Sequence, residues 1–416
     1  MKFFQPIEAK PYFLIPDNLD FDSLVRHNPP PEQLNRTAAH WLLDGLTAWS
    51  STTSMMTEMP SSVIRKTVSN YKEYLRYFIS EGVLETDNYY RTPRSGRRPK
   101  AIGYTFTDPF SQTPLKEIKN PCFRASDSQA DQGHVNNPKE IGTIHLREFA
   151  RHRRDYDVKL TRKAEYWAST IEHSWFSSTD ANGRVYNPVT CMNKKLRPYL
   201  TIRDSNDLAD LDIKTCQPYL LGWVAIQHGV ERSEVDRWVE TVQKQDIYDD
   251  FGERLCKAGE PLMERDDLKP ELLRVFHSSN KHHSPGKKVF ANWWPGIAKM
   301  LIDMKKTYNG AVACTLMALE ADIMFGLVVP RLEAQEIAAF TVHDGILVRD
   351  IDKDNAVRIL EDSCKEKTEI SPVIKTKPLN AKIATQELLS RITLNQPTPL
   401  MSTITPEKSF GVTSPQ

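Results

Sequence analysis

The stretch Thr341–Asp350, TVHDGILVRD, constrains this chain more than any other. Phe340–Val342 and Ile346–Val348 have the apolar, β-branched character of two short strands, and only His343-Asp344-Gly345 stands between them. So short a connection forces an antiparallel hairpin, with Gly345 supplying the unusual backbone angles of the turn. An acid, Asp344, therefore sits on a hairpin tip. A second stretch, Leu208–Gly222 (LADLDIKTCQPYLLG), has the same character. Its apolar lead-in ends as a strand at Asp212, and Pro218 marks the first turn of a helix. Asp204, Asp207 and Asp210 lie just before, but Asp212 has the apolar context, with Gln217-Pro218 behind it. Two acidic strand ends 132 residues apart can face each other across one antiparallel sheet. Carboxylates beside free backbone groups are where a hard cation is held.

Between these stretches, MERDDLKPELLRVFHSS puts Arg265 and Lys269 on one helical face, four residues apart. A forked guanidinium and a point-charge ammonium suit a triphosphate tail. Asp180–Leu200 (DANGRVYNPVTCMNKKLRPYL) precedes the first acid; Trp293–Leu301 (WWPGIAKML) and Leu316–Leu327 (LMALEADIMFGL) precede the second. In this order, over residues 180–380, the set resembles the palm and fingers motifs of family A nucleic-acid polymerases, a superfamily shared with the single-subunit phage-type RNA polymerases. The resemblance implies an α+β right-hand fold: an antiparallel palm sheet with helical fingers and thumb, in a minimal form lacking an exonuclease domain. It implies two-metal phosphoryl transfer, with Asp212 and Asp344 holding two Mg²⁺ (Mn²⁺ as substitute) and the Ile213 carbonyl as a further ligand. Arg265 and Lys269 then meet the nucleoside triphosphate, while Arg184, Arg197 and His343 lie by the primer and template. Gln217, five after Asp212, stands where DNA-polymerising members carry Glu against the ribose 2′-hydroxyl and RNA-polymerising members carry Gly. Its bulk favours a DNA product. Four after Lys269, where the family carries Phe or Tyr, this chain has Leu273; Phe276 is near but out of register.

The N-terminal residues are read without that likeness. Residues 1–106 form an N-terminal helical unit: an arm, a helix over Glu32–Ser50, a second from Pro60 to Ser80 with Gly82 as its cap, and strands over Val83–Tyr90 and Ala101–Phe106. Between those strands runs RTPRSGRRPK, five basic residues in ten, including Arg97 and Arg98. Helices followed by a hairpin with a basic tip resemble a winged-helix module that releases counterions from a nucleic-acid backbone. Residues 107–141 read as a linker and 392–416 as a disordered tail; the resemblance implies thumb-like basic helices over 142–179 and palm and fingers over 180–391. In the thumb segment Arg153 and Arg154 are interleaved with Tyr156, Tyr166 and Trp167, a pattern suited to backbone contact and base stacking. Net charge is only +1, so a nucleic-acid binder of this composition must segregate its charge. Six scattered Cys without a C-x-x-C pair argue against zinc and disulfides, and His277, His282 and His283 lack spaced partners for a metal. No run of 18 apolar residues and no signal peptide are present, which predicts a cytoplasmic protein that spans no membrane.

The composite expectation is a DNA polymerase acting on primer-template and nucleoside triphosphates, with or without accessory replication proteins, of the kind carried by a phage, plasmid or other mobile element. Two alternatives stay open. One is a single-subunit RNA polymerase or primase. The other is a non-catalytic winged-helix replication protein, in which Asp212 and Asp344 would lie apart.

Overall fold

A computed structural model describes residues 7, 10–49, 56–59, 61–89, 101–123, 133–152 and 157–394. In the N-terminal region, β1 (Tyr12–Pro16) and α1 (Phe21–His27) lead to α2 (Arg36–Trp49), which buries Trp41, Leu42, Leu43 and Leu46. β2 (Thr57–Glu58) follows, then α3 (Ser61–Ile64) and α4 (Tyr71–Ser80). The single helix expected over Pro60–Ser80 is therefore broken. Residues 65–70 turn instead, and Thr67-Val68-Ser69-Asn70 is a run of poor helix formers. Gly82 caps α4 as expected, at φ 68°. β3 (Leu84–Thr86) and β4 (Gly103–Phe106) pair antiparallel, Leu84 opposite Phe106, and β2 joins the outer side of β4. Arg91–Lys100, with Arg97 and Arg98, lies outside the described residues.

Residues 107–141 are more than a linker. β5 (Leu115–Lys119) pairs with β1 over five positions, Tyr12 opposite Lys119. Asn136 Nδ2 donates to Thr341 Oγ1 (3.0 Å), and its Oδ1 accepts from the Thr341 N–H (2.9 Å). Polar composition hid these ties, because they are made by strand backbone and by a side-chain amide. The basic segment that follows forms α5 (Ile144–His152) and α6 (Val158–His173). Arg153, Arg154 and Tyr156, between them, lie outside the described residues. Most of the α6 residues expected to meet nucleic acid are turned inward, Lys159 excepted. Tyr166 and Trp167 are buried, Lys163 Nζ donates to the Thr47 carbonyl (2.9 Å), and Arg162 donates to that of Phe110. Lys163 thus neutralises the C-terminal end of α2, where helix carbonyls lack partners.

β6 (Ile141–Gly142), the hairpin of β7 (Ser178–Thr179) and β8 (Val185–Tyr186), the short α7 (Pro188–Cys191) and β9 (Thr201–Ile202) bring the chain to β10 (Leu208–Ile213). A helical array follows: α8 (Cys216–Gln227), α9 (Arg232–Lys244), α10 (Ile247–Lys257), α11 (Arg265–His277), α12 (Pro285–Trp293), α13 (Pro295–Thr307), α14 (Ala311–Ile323) and α15 (Val329–Ala334). The single helix expected over Glu231–Lys257 divides at Asp246, which caps α10 by accepting from the Tyr248 N–H. Pro295 starts α13 afresh, for the reason that Pro suits a first turn. β11 (Ala339–Val342), β12 (Gly345–Arg349), α16 (Lys353–Thr368), β13 (Ile374–Leu379) and α17 (Ala381–Leu394) complete the order.

The largest sheet runs β11-β12-β10-β13, antiparallel throughout. Its period of two sorts the side chains. Ala209, Leu211, Ile213, Ile346 and Val348 join the core with α8–α16, at whose centre Trp238 meets Phe276, Phe290 and Trp294 edge-on. Leu208, Phe340 and Leu347 point the other way, to the core built with α5–α7. Asp210 and Asp212 share that second face and are only half-buried. The stretch Ala311–Ala334, interrupted by a π turn at Met324–Val328, is long and apolar enough to cross a membrane. Here it is a core helix: Leu316, Leu319, Ile323 and Leu332 are buried, and its acids Glu320 and Asp322 pair with Arg184 and Lys367.

Candidate active site

The strand pairing brings the two acids together. Asp212 on β10 lies directly opposite Gly345, the residue after Asp344. The turn between β11 and β12 is His343-Asp344 alone, and the Ile213 N–H donates to the Asp344 carbonyl (3.4 Å). His343, not Gly345, adopts the left-handed backbone, at φ 57°. Gly345 is required for a different reason than its turn angles: a Cβ there would stand 2.4 Å from the Leu211 carbonyl oxygen. The absent side chain is what lets the two strands close.

Neither the Asp212 nor the Asp344 carboxylate has a hydrogen bond or ion pair among the described residues. Burial pushes the Asp212 carboxyl up to about 7, with Asp344 and then Asp210 adding to it, and Lys375 and Lys269 opposing. Lys375 stands opposite Asp212 on β13, and Lys377 opposite Asp210. Asp210, set aside in the sequence, is thus a near neighbour. Burial raises its carboxyl as well, while Arg197 and Lys377 pull it down. A further acid, Glu320 on α14, was missed. It is 2% exposed, pairs with Arg184 (2.5 Å) and has one oxygen without a partner. Burial, then Asp344, raise it to about 7 against the pull of Arg184. Its signal was one acid inside an apolar helix, LMALEADIMF.

The expected cations surround this group unequally. Arg184 is held on the β7–β8 hairpin, where its N–H donates to Asp180. His343 packs edge-on against Tyr186 at 5.6 Å, and burial, then Arg184, lower its affinity for a proton. Arg197 is half-buried, its guanidinium pulled down by burial and held up by Asp210. Arg265 and Lys269 share α11 but differ in use. Arg265 pairs with Asp246 (2.5 Å) over the Tyr248 ring, whereas Lys269 is exposed and has no partner among the described residues. Tyr248 is itself a neighbour of the acids: burial and Asp246 push its phenol up to about 12, with smaller contributions from Asp344 and Asp212. Gln217, in the first turn of α8, accepts a hydrogen bond from His277 Nε2 at the far end of α11 (2.9 Å). Leu273 is partly buried and Phe276 fully so, in the Trp238 cluster.

Among the described residues no three His, Cys, Asp or Glu side chains converge as a metal-binding set. The Asp212–Asp344 pair nevertheless fits a hard divalent cation: two carboxyls at neighbouring strand ends, with no ion pair among the described residues. Backbone, water and substrate oxygens would complete the shell.

No protein-family model matches this chain, and no curated protein matches it. A solved structure to which it is similar is the POL domain of Pol1 from M. smegmatis in complex with DNA primer-template and dNTP. The two share 12% identity and a TM-score of 0.38, over 59% of this chain and 56% of that one. The chain therefore matches little more than half of that domain's length.

Proposed function

We propose that the chain is a template-directed DNA polymerase, acting on primer-template and deoxynucleoside triphosphates in the replication of a phage, plasmid or other mobile element. The observation that supports this reading most is the juxtaposition of Asp212 and Asp344, unneutralised, at one end of the central sheet. A non-catalytic reading needs no such pair. Asp212, Asp344 and the Ile213 carbonyl would hold Mg²⁺, which when bound supplies activation of a primer hydroxyl and neutralisation of the leaving pyrophosphate. Lys269 receives the triphosphate, and Arg265 does so only on leaving Asp246. His277 fixes the Gln217 amide, so that Gln217 presents bulk toward the sugar from a set direction. Arg184, tied to Glu320, and Arg197, facing Asp210, hold position behind the acids and meet the primer or template strand. His343, wedged against Tyr186, sets the orientation of Asp344. The basic run with Arg97 and Arg98, and Arg153 with Arg154, supply backbone contacts to the duplex.

Primer extension on a defined template, with dNTPs or rNTPs and with or without Mg²⁺, tests the proposal. Metal-dependent dNTP incorporation is expected, and Asp344→Asn is expected to abolish it with template affinity nearly unchanged. Incorporation of rNTPs alone would shift the product to RNA. Residual activity of Asp344→Asn within a few-fold of wild type would overturn the mechanism.

A further inference from the structure

Between α11, α12 and α13 lies a cavity of about 700 Å³, lined by none of the acids or cations above. Its walls are apolar, with Val275, Phe290, Ala298, Leu301 and Ile302 among them. Three lysines line it, Lys287, Lys288 and Lys305, against the single carboxylate Glu260. Lys305 is 5% exposed, and its Nζ donates to the Val275 carbonyl (2.8 Å). An ammonium has three N–H donors. The other two have no partner among the described residues, and no carboxylate pairs with the group. Lys287 is drawn to the Ser279 and His282 carbonyls and adds a second positive charge nearby. Burial, then Lys287, lower Lys305 to about 8.

A buried ammonium without a counter-ion is unfavourable. Tying down the end of α11 accounts for one hydrogen bond of Lys305. It does not account for the open space beside it or for the missing carboxylate. We propose that this cavity binds a small anionic amphiphile, whose apolar body lies against Phe290, Leu301 and Ile302 and whose carboxylate or phosphate head takes the unused donors of Lys305. The volume falls in the range of about 300–1,000 Å³ that encloses drug-sized ligands. A neutral hydrocarbon would leave the ammonium unpaired, and a compact inorganic anion would leave the apolar wall empty. The inference stands independently of the polymerase reading.

Isothermal titration of the full chain with dodecanoate and dodecyl phosphate, below their micelle-forming concentrations, tests it against dodecanol and inorganic phosphate. Saturable one-to-one binding of both anionic probes is expected, with dodecanol at least about tenfold weaker, the scale of a lost charge-assisted hydrogen bond. Inorganic phosphate is expected not to displace them. Lys305→Met should weaken dodecanoate at least about tenfold while leaving dodecanol unchanged. Ile302 is 48% exposed, so Ile302→Glu is a change the fold should tolerate. It places a carboxylate in the lining and should weaken the anions alone, which keeps the test open if Lys305→Met fails to fold. Absence of saturable binding, equal affinity for dodecanol, displacement by inorganic phosphate, or indifference of dodecanoate to both substitutions would each overturn the proposal.

Discussion

At the scale of single residues, Asp212 and Asp344 are held together at a disadvantage to the fold. A carboxyl with a raised proton affinity binds more protons folded than unfolded. Stability therefore rises as pH falls from about 7 toward the ordinary carboxyl value of about 4, and is lowest above 7. Removing the charge removes the disadvantage. Asp212→Asn is expected to raise the thermal midpoint in metal-free buffer at pH 8, with the gap narrowing from pH 7 down to pH 4, while nucleotide incorporation is lost. A midpoint that drops at pH 8 would mark Asp212 as a structural acid instead. Lys269 and Arg265 divide similarly. Lys269→Ala should lower kcat/KM for the nucleotide by roughly ten- to a hundredfold, the range of hydrogen bonds to charged groups. Arg265→Ala should cost less, since Asp246 already engages that side chain; equal losses in steady-state kinetics would contradict this division. That Asp212 and Asp344 end neighbouring strands was legible in the sequence, because each sits in a short local pattern. Glu320, Asp210 and Lys375 were not, because only tertiary pairing sets them beside the two acids.

Between elements, two contacts decide the geometry. β10 and β12 approach so closely at Leu211 and Gly345 that a methyl group does not fit. Gly345→Ala should destabilise the fold by about 2 kcal/mol, as overpacking does. The urea midpoint should fall with the slope unchanged, and activity should fall with it although no charge is altered. The second contact joins α8 to α11 through His277 and Gln217. His277→Leu frees the Gln217 amide, and discrimination between dNTP and rNTP is expected to weaken several-fold with template affinity unchanged; an unaltered ratio in competition assays would leave His277 with no part in sugar selection. Strand positions here were readable from the alternation of apolar residues. Helix breaks at residues 65–70 and at Asp246 were not, since apolar spacing runs on across both and only caps and poor helix formers mark them. The need for Gly345 was visible, but its cause was misplaced: a close approach between strands leaves no trace in the local sequence.

For the molecule as a whole, a net charge of +1 conceals a cluster of acids ringed by cations. Asp210, Asp212, Glu320 and Asp344 influence one another at one end of the central sheet, with Lys269, Lys375, Arg184 and Arg197 around them. Several other cations are spent inside the fold. Lys163 and Arg162 donate to backbone carbonyls, and Lys10 is buried against Asp44, whose charge holds the ammonium well above the usual lysine range although burial opposes it. Composition alone cannot distinguish such structural cations from those free to meet a polyanion. That is why α6 looked like a binding surface and proved to be core. The duplex contact proposed above draws on the basic run Arg91–Lys100. Each phosphate neutralised contributes about 0.9 to the slope of log K against log salt. Replacing Arg97 and Arg98 together by Ala should therefore reduce that slope by about 2 and weaken binding of every duplex alike, with the rate of incorporation at saturating template unchanged. A reduced rate with the salt dependence intact would instead make this segment part of the catalytic assembly, and the grip on the duplex would have to come from the cations around Asp212.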